Sequence, residues 1–435
     1  RVNLMKEFNL GIIGLGNIGL EVYRNIKKNA SDIKKKTGFK LNISKVSAKN
    51  IRKKREIKIP KRLIEKNISK IINDPRIDII VELIGGSDGV AKKIVFDSIK
   101  KNKHVVTANK ALIAKHGDAL SILAEKYGVN LLFEAAVGGG IPIIRSMKQG
   151  LIANKLTHIY GILNGTTNFI LTEMEKRNEG FVNVLKDAQK LGYAESNPSS
   201  DVDGFDAADK ISILSSIGFG TKIINKGFVI EGIRNIDLED IRFAKSLNYT
   251  IKLLAIAERK GKKVKQRVHP CLIPNNLDVA NIDNVINAIV VDGHPIGRTI
   301  YEGPGAGKGP TSSAVISDIT SIMLGNDEFS FGLAPSAKKK LNLFNFDNHI
   351  SKYYIRFLTK DVTGVLSRIT SALAKYKISV ANLYQEPSKL GSANIMLVTH
   401  QTKELSIQKV IRKLSTQKKL FKKIVMIRVR DYKKL

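Results

Sequence analysis

Residues 8–13 (Phe-Asn-Leu-Gly-Ile-Ile) form a nearly unbroken apolar run, the pattern of a strand buried on both faces. Residues 20–27 turn to helical spacing, and β-type apolar runs recur at 41–48, 77–83, 104–106 and 129–133, with helix-like residues at 90–101. Strands alternating with helices imply a doubly wound parallel sheet with helices on both faces. This first unit is expected to span 5–136. Beyond Gly138 the texture becomes mixed, with strand-like runs at 159–163 and 288–291, so 137–301 reads as an α+β domain. A Gly/Pro cluster at 303–310 precedes a helical run at 311–324, and 302–325 is expected to complete the first unit. Residues 326–349 are polar and irregular, which suits a linker. From 350 to 435 the order is strand 353–358, helix 364–376, strands 378–384 and 393–399, helix 406–414 and strand 421–429. That is βαββαβ, a ferredoxin-like arrangement.

Composition narrows the function classes. Across 435 residues, 73 Lys and Arg stand against 39 Asp and Glu, a net charge of +34. The basic residues are spread along the chain in short runs without interleaved aromatics, and no zinc-finger, RNA-binding or basic-zipper motif is present. A solvated basic surface that attracts small anions is favoured over a nucleic-acid partner. No stretch approaches the roughly 20 apolar residues of a membrane helix, so no membrane partner is expected. A single Cys, Cys271, excludes an intrachain disulfide and points to a reducing, cytoplasmic setting. Its apolar surroundings read as core. Met5 reads as a natural start with no signal peptide before it. The seven histidines lack paired ligand spacing.

Gly14-Leu15-Gly16-Asn17-Ile18-Gly19 follows the first strand and opens a helix inside a βαβ unit, the context that gives G-x-G-x-x-G its meaning. Gly14 serves the tight turn, Gly16 the approach of a pyrophosphate, and Gly19 close helix–strand packing, in a Rossmann-type domain. Leu15, Asn17 and Ile18 complete the expected cofactor loop, with Gly85 at the end of a neighbouring strand. The second strand ends Val46-Ser47-Ala48-Lys49-Asn50 without a carboxylate, and Arg52 follows closely. Cations there suit a ribose 2′-phosphate, so NADP(H) is expected in preference to NAD(H), which is admitted as a weaker ligand.

Asp206 and Lys210 are four apart on one face of an expected helix whose continuation, Ile211, Ile213 and Leu214, is apolar. A buried lysine exchanges protons more readily near neutrality, which suits acid–base work. Lys110 follows the strand at 104–106, at the strand ends where ligands of such sheets collect. It is a candidate for bridging nicotinamide and substrate or sharing a proton relay.

Together, 105–112 (Val-Val-Thr-Ala-Asn-Lys-Ala-Leu), 133–142 (Phe-Glu-Ala-Ala-Val-Gly-Gly-Gly-Ile-Pro), 161–168 (Gly-Ile-Leu-Asn-Gly-Thr-Thr-Asn), 192–195 and 201–210 closely resemble homoserine dehydrogenase. The resemblance runs from the Gly-rich loop to about residue 325. It implies NAD(P)H-dependent, reversible reduction of L-aspartate 4-semialdehyde to L-homoserine, with Lys210 as proton donor. It further implies that Asp206, Asp201, Glu195 and Gly192 hold the substrate, and that Gly303 and Gly305 close over the nicotinamide. Glu134 with the main-chain carbonyls of Val137, Gly139 and Ile141 would hold a monovalent cation, Na⁺. Two departures stand out: Asp209 where a basic residue or His usually precedes the lysine, and Asn50 at a position that is often acidic. Asp361-Val362-Thr363-Gly364, after the first strand of the last unit, resembles an ACT domain. It implies threonine as effector, read at Asp361, Thr363 and Gly364, in a homodimer or homotetramer. Another amino-acid dehydrogenase on the same fold, or a basic nucleic-acid-binding protein, is the alternative.

Overall fold

The computed structural model describes residues 7–50, 55–388 and 391–430. The apolar runs of the first unit become β1 (Glu7–Ile13), β2 (Lys40–Ser47), β3 (Ile79–Glu82), β4 (His104–Thr107) and β5 (Leu131–Leu132). All pair in parallel, in the order β2-β1-β3-β4-β5. The direction of winding reverses between β1 and β3, which opens a crevice at their C-terminal ends. The helix Lys308–Met323 returns to this sheet. It shares one apolar core with β1, β2 and β3 and the helix Asn17–Lys28. Asn25 also donates to the Ser312 hydroxyl at 3.1 Å.

Several helices escape the sequence pattern. Ala30–Thr37 buries only Ile33, so no apolar stripe announces it. Gly165–Arg177 begins Gly-Thr-Thr-Asn, weak helix formers, and is started instead by the Asn164 side chain accepting from the Thr167 N–H.

The remaining strands form one sheet across the second and third units. From edge to edge it runs Gly297–Pro304, Ile286–His294, Lys155–Ile162, Tyr249–Lys260, Lys263–Pro274, Phe421–Val429, Ile350–Lys360, Ser392–Thr399 and Val380–Pro387. The free side of Lys263–Pro274 is covered in three pieces, all parallel. Asn342–Leu343 pairs at Lys263–Val264, Val229–Ile230 at Arg267–Val268, and Phe421–Val429 at Cys271–Leu272. The third contact joins the ferredoxin-like unit to the second domain through two residue pairs. Those few main-chain bonds, each worth about 1 kcal/mol, do not carry the docking. Tyr354, Met396, Val398, Val425, Ile427 and Val429 are buried in the same core as Ile241, Phe243 and Ala244 of the second domain, at roughly 1.5–3 kcal/mol per large side chain.

Ion pairs clasp the same junction. Arg356 donates to both carboxylate oxygens of the fully buried Asp240, at 2.7 and 2.8 Å, and Tyr354 donates to it at 2.8 Å. Arg428 forks onto Glu404 (2.6 Å) and Glu231 (2.7 Å). Residues 326–349 are irregular, yet Phe331 is buried against Phe133 and Lys338 is paired with Asp118. Among the described residues no helix is long and apolar enough to cross a membrane.

Candidate active site

The crevice between β1 and β3 is built by close backbone approaches. Gly14 has φ +114°, and a Cβ on Gly19 would lie 1.9 Å from the Gly14 carbonyl oxygen. A Cβ on Gly16 would meet nothing within 4 Å, so that side of the loop is open. The helix Asn17–Lys28 carries no side-chain cap, which leaves its first N–H groups directed at the crevice for an anion. A recess of about 360 Å³ beside the loop is lined by Leu15, Arg55, Glu56, Lys58 and Ile64 among others. This arrangement fits a dinucleotide: an uncapped helix start for the pyrophosphate, with a basic recess at its side. Lys49 is exposed after β2, and Arg52 lies outside the described residues. Glu82, buried at the end of β3, accepts from the Ile84 and Gly85 N–H groups and from the Thr107 hydroxyl. It thereby shapes the turn that carries Gly85.

A second cluster lies where the helix Phe205–Phe219 faces the helix Lys110–Lys126. Asp206 is 3% exposed and Lys210 8%. Lys210 Nζ lies 2.8 Å from Asp206 Oδ2 and donates to the Leu163 carbonyl at 2.7 Å. Lys110 Nζ lies 2.9 Å from Asp206 Oδ1. Asn164 Nδ2 donates to Asp206 at 2.8 Å and to Asp201 at 2.7 Å. Burial alone would push the Asp206 carboxyl up, but the ammonium groups of Lys210 and Lys110 hold it below the usual carboxylate range. The Asp206 charge in turn raises Lys110. Burial, and then Asp206, raises Asp201 and pushes Asp209 up to about 6. Lys110 begins its helix at the C-terminal end of β4, so its bond to Asp206 joins the cofactor crevice to the second domain.

An ammonium has three donors. Lys210 commits two, which leaves one N–H for a substrate oxygen. A family model described as homoserine dehydrogenase matches residues 142–320, its NAD-binding domain model matches 14–134, and an ACT-domain model matches 353–417. Homoserine dehydrogenase of Neisseria gonorrhoeae is 39% identical over 432 residues, covering 98% of this chain and 99% of that one. The chain belongs to the homoserine dehydrogenase family. The Bacillus subtilis homoserine dehydrogenase is 38% identical over 94% of this chain and 95% of its own. The crystal structure of a homoserine dehydrogenase from Thiobacillus denitrificans matches with TM-score 0.89 and 37% identity, covering 98% of this chain and 99% of that one. A hyperthermophilic archaeal homoserine dehydrogenase mutant in complex with NADPH matches with TM-score 0.63 and 25% identity, over 73% of this chain and 98% of that one. The fold is thus that of the family: a Rossmann-like parallel sheet, a mixed-sheet catalytic domain and a C-terminal ACT domain. The activity is that of a nicotinamide-dependent oxidoreductase.

Around this family core the other expected residues fall into place unevenly. Gly192 and Glu195 lie on an exposed segment, tied to the helix Gly165–Arg177 by the Thr166 hydroxyl donating to the Tyr193 carbonyl. They stand apart from the Lys210 hydrogen-bond cluster. Gly303 and Gly305 flank the 134–141 turn: Gly140 N–H donates to the Pro304 carbonyl at 3.0 Å. A Cβ on Gly139 would come within 2.5 Å of Gly305. The Glu134 carboxylate accepts from the Ile144 and Arg145 N–H groups at 2.9 and 2.8 Å, and its own N–H donates to Asp318. Among the described residues no group of three or more His, Cys, Asp or Glu side chains is placed to hold a metal. Asp361, Thr363 and Gly364 form an exposed turn before the helix Val365–Lys375. Cys271 is buried, and burial pushes its thiol up to about 11.

Sequence reasoning passed over Asn164, Asn109 and Glu82 as site residues. Asn109 caps the helix that starts with Lys110 and donates to the Gly86 carbonyl, which fixes Lys110 against the cofactor turn. Both asparagines sit between a strand and a helix, and that N-cap position was the available signal.

Proposed function

We propose that the chain interconverts L-aspartate 4-semialdehyde and L-homoserine with NADP(H) preferred over NAD(H). The observation that carries this is the Lys110–Asp206–Lys210 cluster, held across the junction between the cofactor crevice and the second domain. The reduced nicotinamide, when bound, supplies a hydride to the aldehyde carbon. Lys210 gives a proton to the aldehyde oxygen, and the amine takes it back in the reverse direction. Asp206 keeps both lysines in place, with Asn164 and the Leu163 carbonyl fixing the geometry. Lys110, with donors left beyond its Asp206 contact, reaches the nicotinamide or the substrate. Asp201 and Glu195 supply negative charge for the α-ammonium of the substrate.

The NADP(H) preference is supported by the absence of a carboxylate at 46–50, by the exposed Lys49 after β2, and by Arg55 and Lys58 in the recess beside the loop, where Glu56 is ion-paired with Arg24 and Lys308. A Na⁺ at the 134–141 turn would rest on the carbonyls of Val137, Gly139 and Ile141. The Glu134 carboxylate, which accepts from two main-chain donors and keeps further lone pairs, would join them. The ACT turn at Asp361, Thr363 and Gly364 is read as a threonine site. The exposed edge strand Val380–Pro387, with Leu383 and Tyr384 uncovered, supports a homodimer or homotetramer. A cytoplasmic setting is the expectation.

The deciding assay is oxidation of NADPH in the presence of aspartate semialdehyde, with NADH in parallel. Turnover with a lower KM for NADPH is expected. No turnover overturns the reaction, and a lower KM for NADH overturns the cofactor preference. Inhibition by millimolar threonine tests the effector reading, and removal of Na⁺ and K⁺ tests the cation.

A further inference from the structure

On the face of the long sheet opposite the helix Phe205–Phe219 lies a cavity of about 330 Å³. Side-chain alternation separates the two faces: Ile159, Ala257, Val268 and Leu272 belong to the catalytic core, while Tyr160, Ile256 and Cys271 point the other way. The cavity straddles the seam between Lys263–Pro274 and Phe421–Val429. Five Lys and Arg side chains line it (Lys265, Arg267, Arg298, Arg428 and Arg430), against two carboxylates, Glu258 and Asp292.

The pairing of these charges is uneven. Arg298 is matched by Asp292 at 2.7 Å, and Arg428 by Glu231 and Glu404 behind it. Glu258 meets three cations: Arg267 at 2.7 Å, Arg430 at 3.0 Å and Lys265 at 3.8 Å. Arg267 is 2% exposed, yet its Nε and Nη1 have no hydrogen-bond partner, and the same holds for Nε2 of the buried His269 and Nδ1 of His349. Buried donors on a guanidinium are costly to leave unmet. Burial, then the charge of Arg267, lowers Lys265 to about 8, and burial with the surrounding cations holds both histidines down, His349 at about 2. The histidines are therefore neutral and add no charge of their own. The Arg428 and Arg267 guanidiniums lie 5.2 and 5.9 Å from the ring centre of Phe346.

We propose that this cavity is a binding site for an oxyanion of phosphate type, seated between Arg267 and Lys265 at the seam of the catalytic sheet and the ACT domain. The five cations that line the cavity outnumber its two lining carboxylates, a sign that suits an oxyanion. The unmet Nε and Nη1 of Arg267 lie on different edges of the guanidinium, whose Nη2 is taken by Glu258, and each can donate to an oxyanion oxygen. Such an ion would tie the strand Lys263–Pro274 to the strand carrying Arg428 without touching Lys210 or the cofactor loop.

The test uses the whole chain and inorganic phosphate as probe, with sulfate as an equal-charge comparison and chloride at matched ionic strength as the baseline. Phosphate is expected to raise Tm saturably beyond chloride. Lys265→Met should weaken that effect by about tenfold or more, with KM for NADPH unchanged. Arg267→Lys, which keeps a cation beside Glu258 but removes the two unmet donors, should weaken it likewise and guards against misfolding of a bolder variant. Lys49→Ala with Arg52→Ala controls for phosphate at the cofactor loop and should leave the effect intact. Stabilisation no greater than chloride gives, or saturable stabilisation unaltered in Lys265→Met and Arg267→Lys, would overturn the proposal.

Discussion

Lys210 and Lys110 share one buried carboxylate, and the economy of that arrangement decides what each substitution does. Burying an ion costs several kcal/mol unless it is paired, and Asp206 is paired twice. Lys210→Ala should lower kcat by about 10²–10⁴. NADPH binding, followed by quenching of its fluorescence, should be retained because the crevice donors are untouched. Asp209 makes a finer prediction. Its carboxyl, pushed up to about 6 first by burial and then by Asp206, is an anion at neutral pH and is among the charges that raise Lys110. Asp209→Asn removes that charge, so the Lys110 ammonium gives up its proton more easily. The alkaline limb of kcat/KM for the reduction should move to lower pH, and the two profiles should converge below about pH 6, where the native Asp209 is protonated. A profile displaced equally at all pH values would refute this. Stability follows the same linkage. A carboxyl held above its unfolded value of about 3.8 costs stability as pH rises from there through about 6, so Asp209→Asn should unfold later than the native chain at neutral pH.

Elements were legible where local periodicity and local chemistry agreed. The first strand, Gly14 to Gly19 and the following helix were readable because the turn glycines and the apolar spacing are contiguous. Asp206 and Lys210 were readable because one helical turn separates them. Asn164 was not, because Asp201 and Asp206 lie 37 and 42 positions away and only the tertiary fold brings them to its amide. The joining of the two domains into one sheet was equally hidden: Cys271 and Arg428 carry no sequence mark that they pair. The clasp at that joint has a measurable weight. Arg356→Ala strands the fully buried Asp240 and should cost about 3–5 kcal/mol, a large part of the ~5–15 kcal/mol typical of a domain. Urea unfolding checks the size. Replacing Arg356 and Asp240 together by Met and Leu should recover most of the loss, because no unpaired charge is then left behind.

For the molecule as a whole, the charge of +34 finds only a few structural uses. Some cations form the clasp, some line the seam cavity, and some surround the cofactor crevice; most of the others are solvated. A surface of this sign attracts anionic cofactors over a range set by salt, about 10 Å at 0.1 M. KM for NADPH should therefore rise with NaCl, and rise more steeply than KM for NADH, which lacks the 2′-phosphate. Equal slopes would place the 2′-phosphate away from the basic recess.

The seam between the catalytic sheet and the ACT domain also governs how the molecule is made. Arg428 and its partner Glu231 are 197 positions apart. At about 5–20 residues per second, ribosomal synthesis separates them by ~10–40 s. For the later part of that interval, once Pro274 has been made, the end of Lys263–Pro274 at Cys271 and Leu272 is an open strand edge, with the apolar residues that will meet Val425, Ile427 and Val429 still bare. An open edge beside apolar surface is where one nascent chain pairs with another. The last strand thus acts as the closing stitch of the whole sheet, and a chain stopped before Phe421 would keep that edge open for its lifetime.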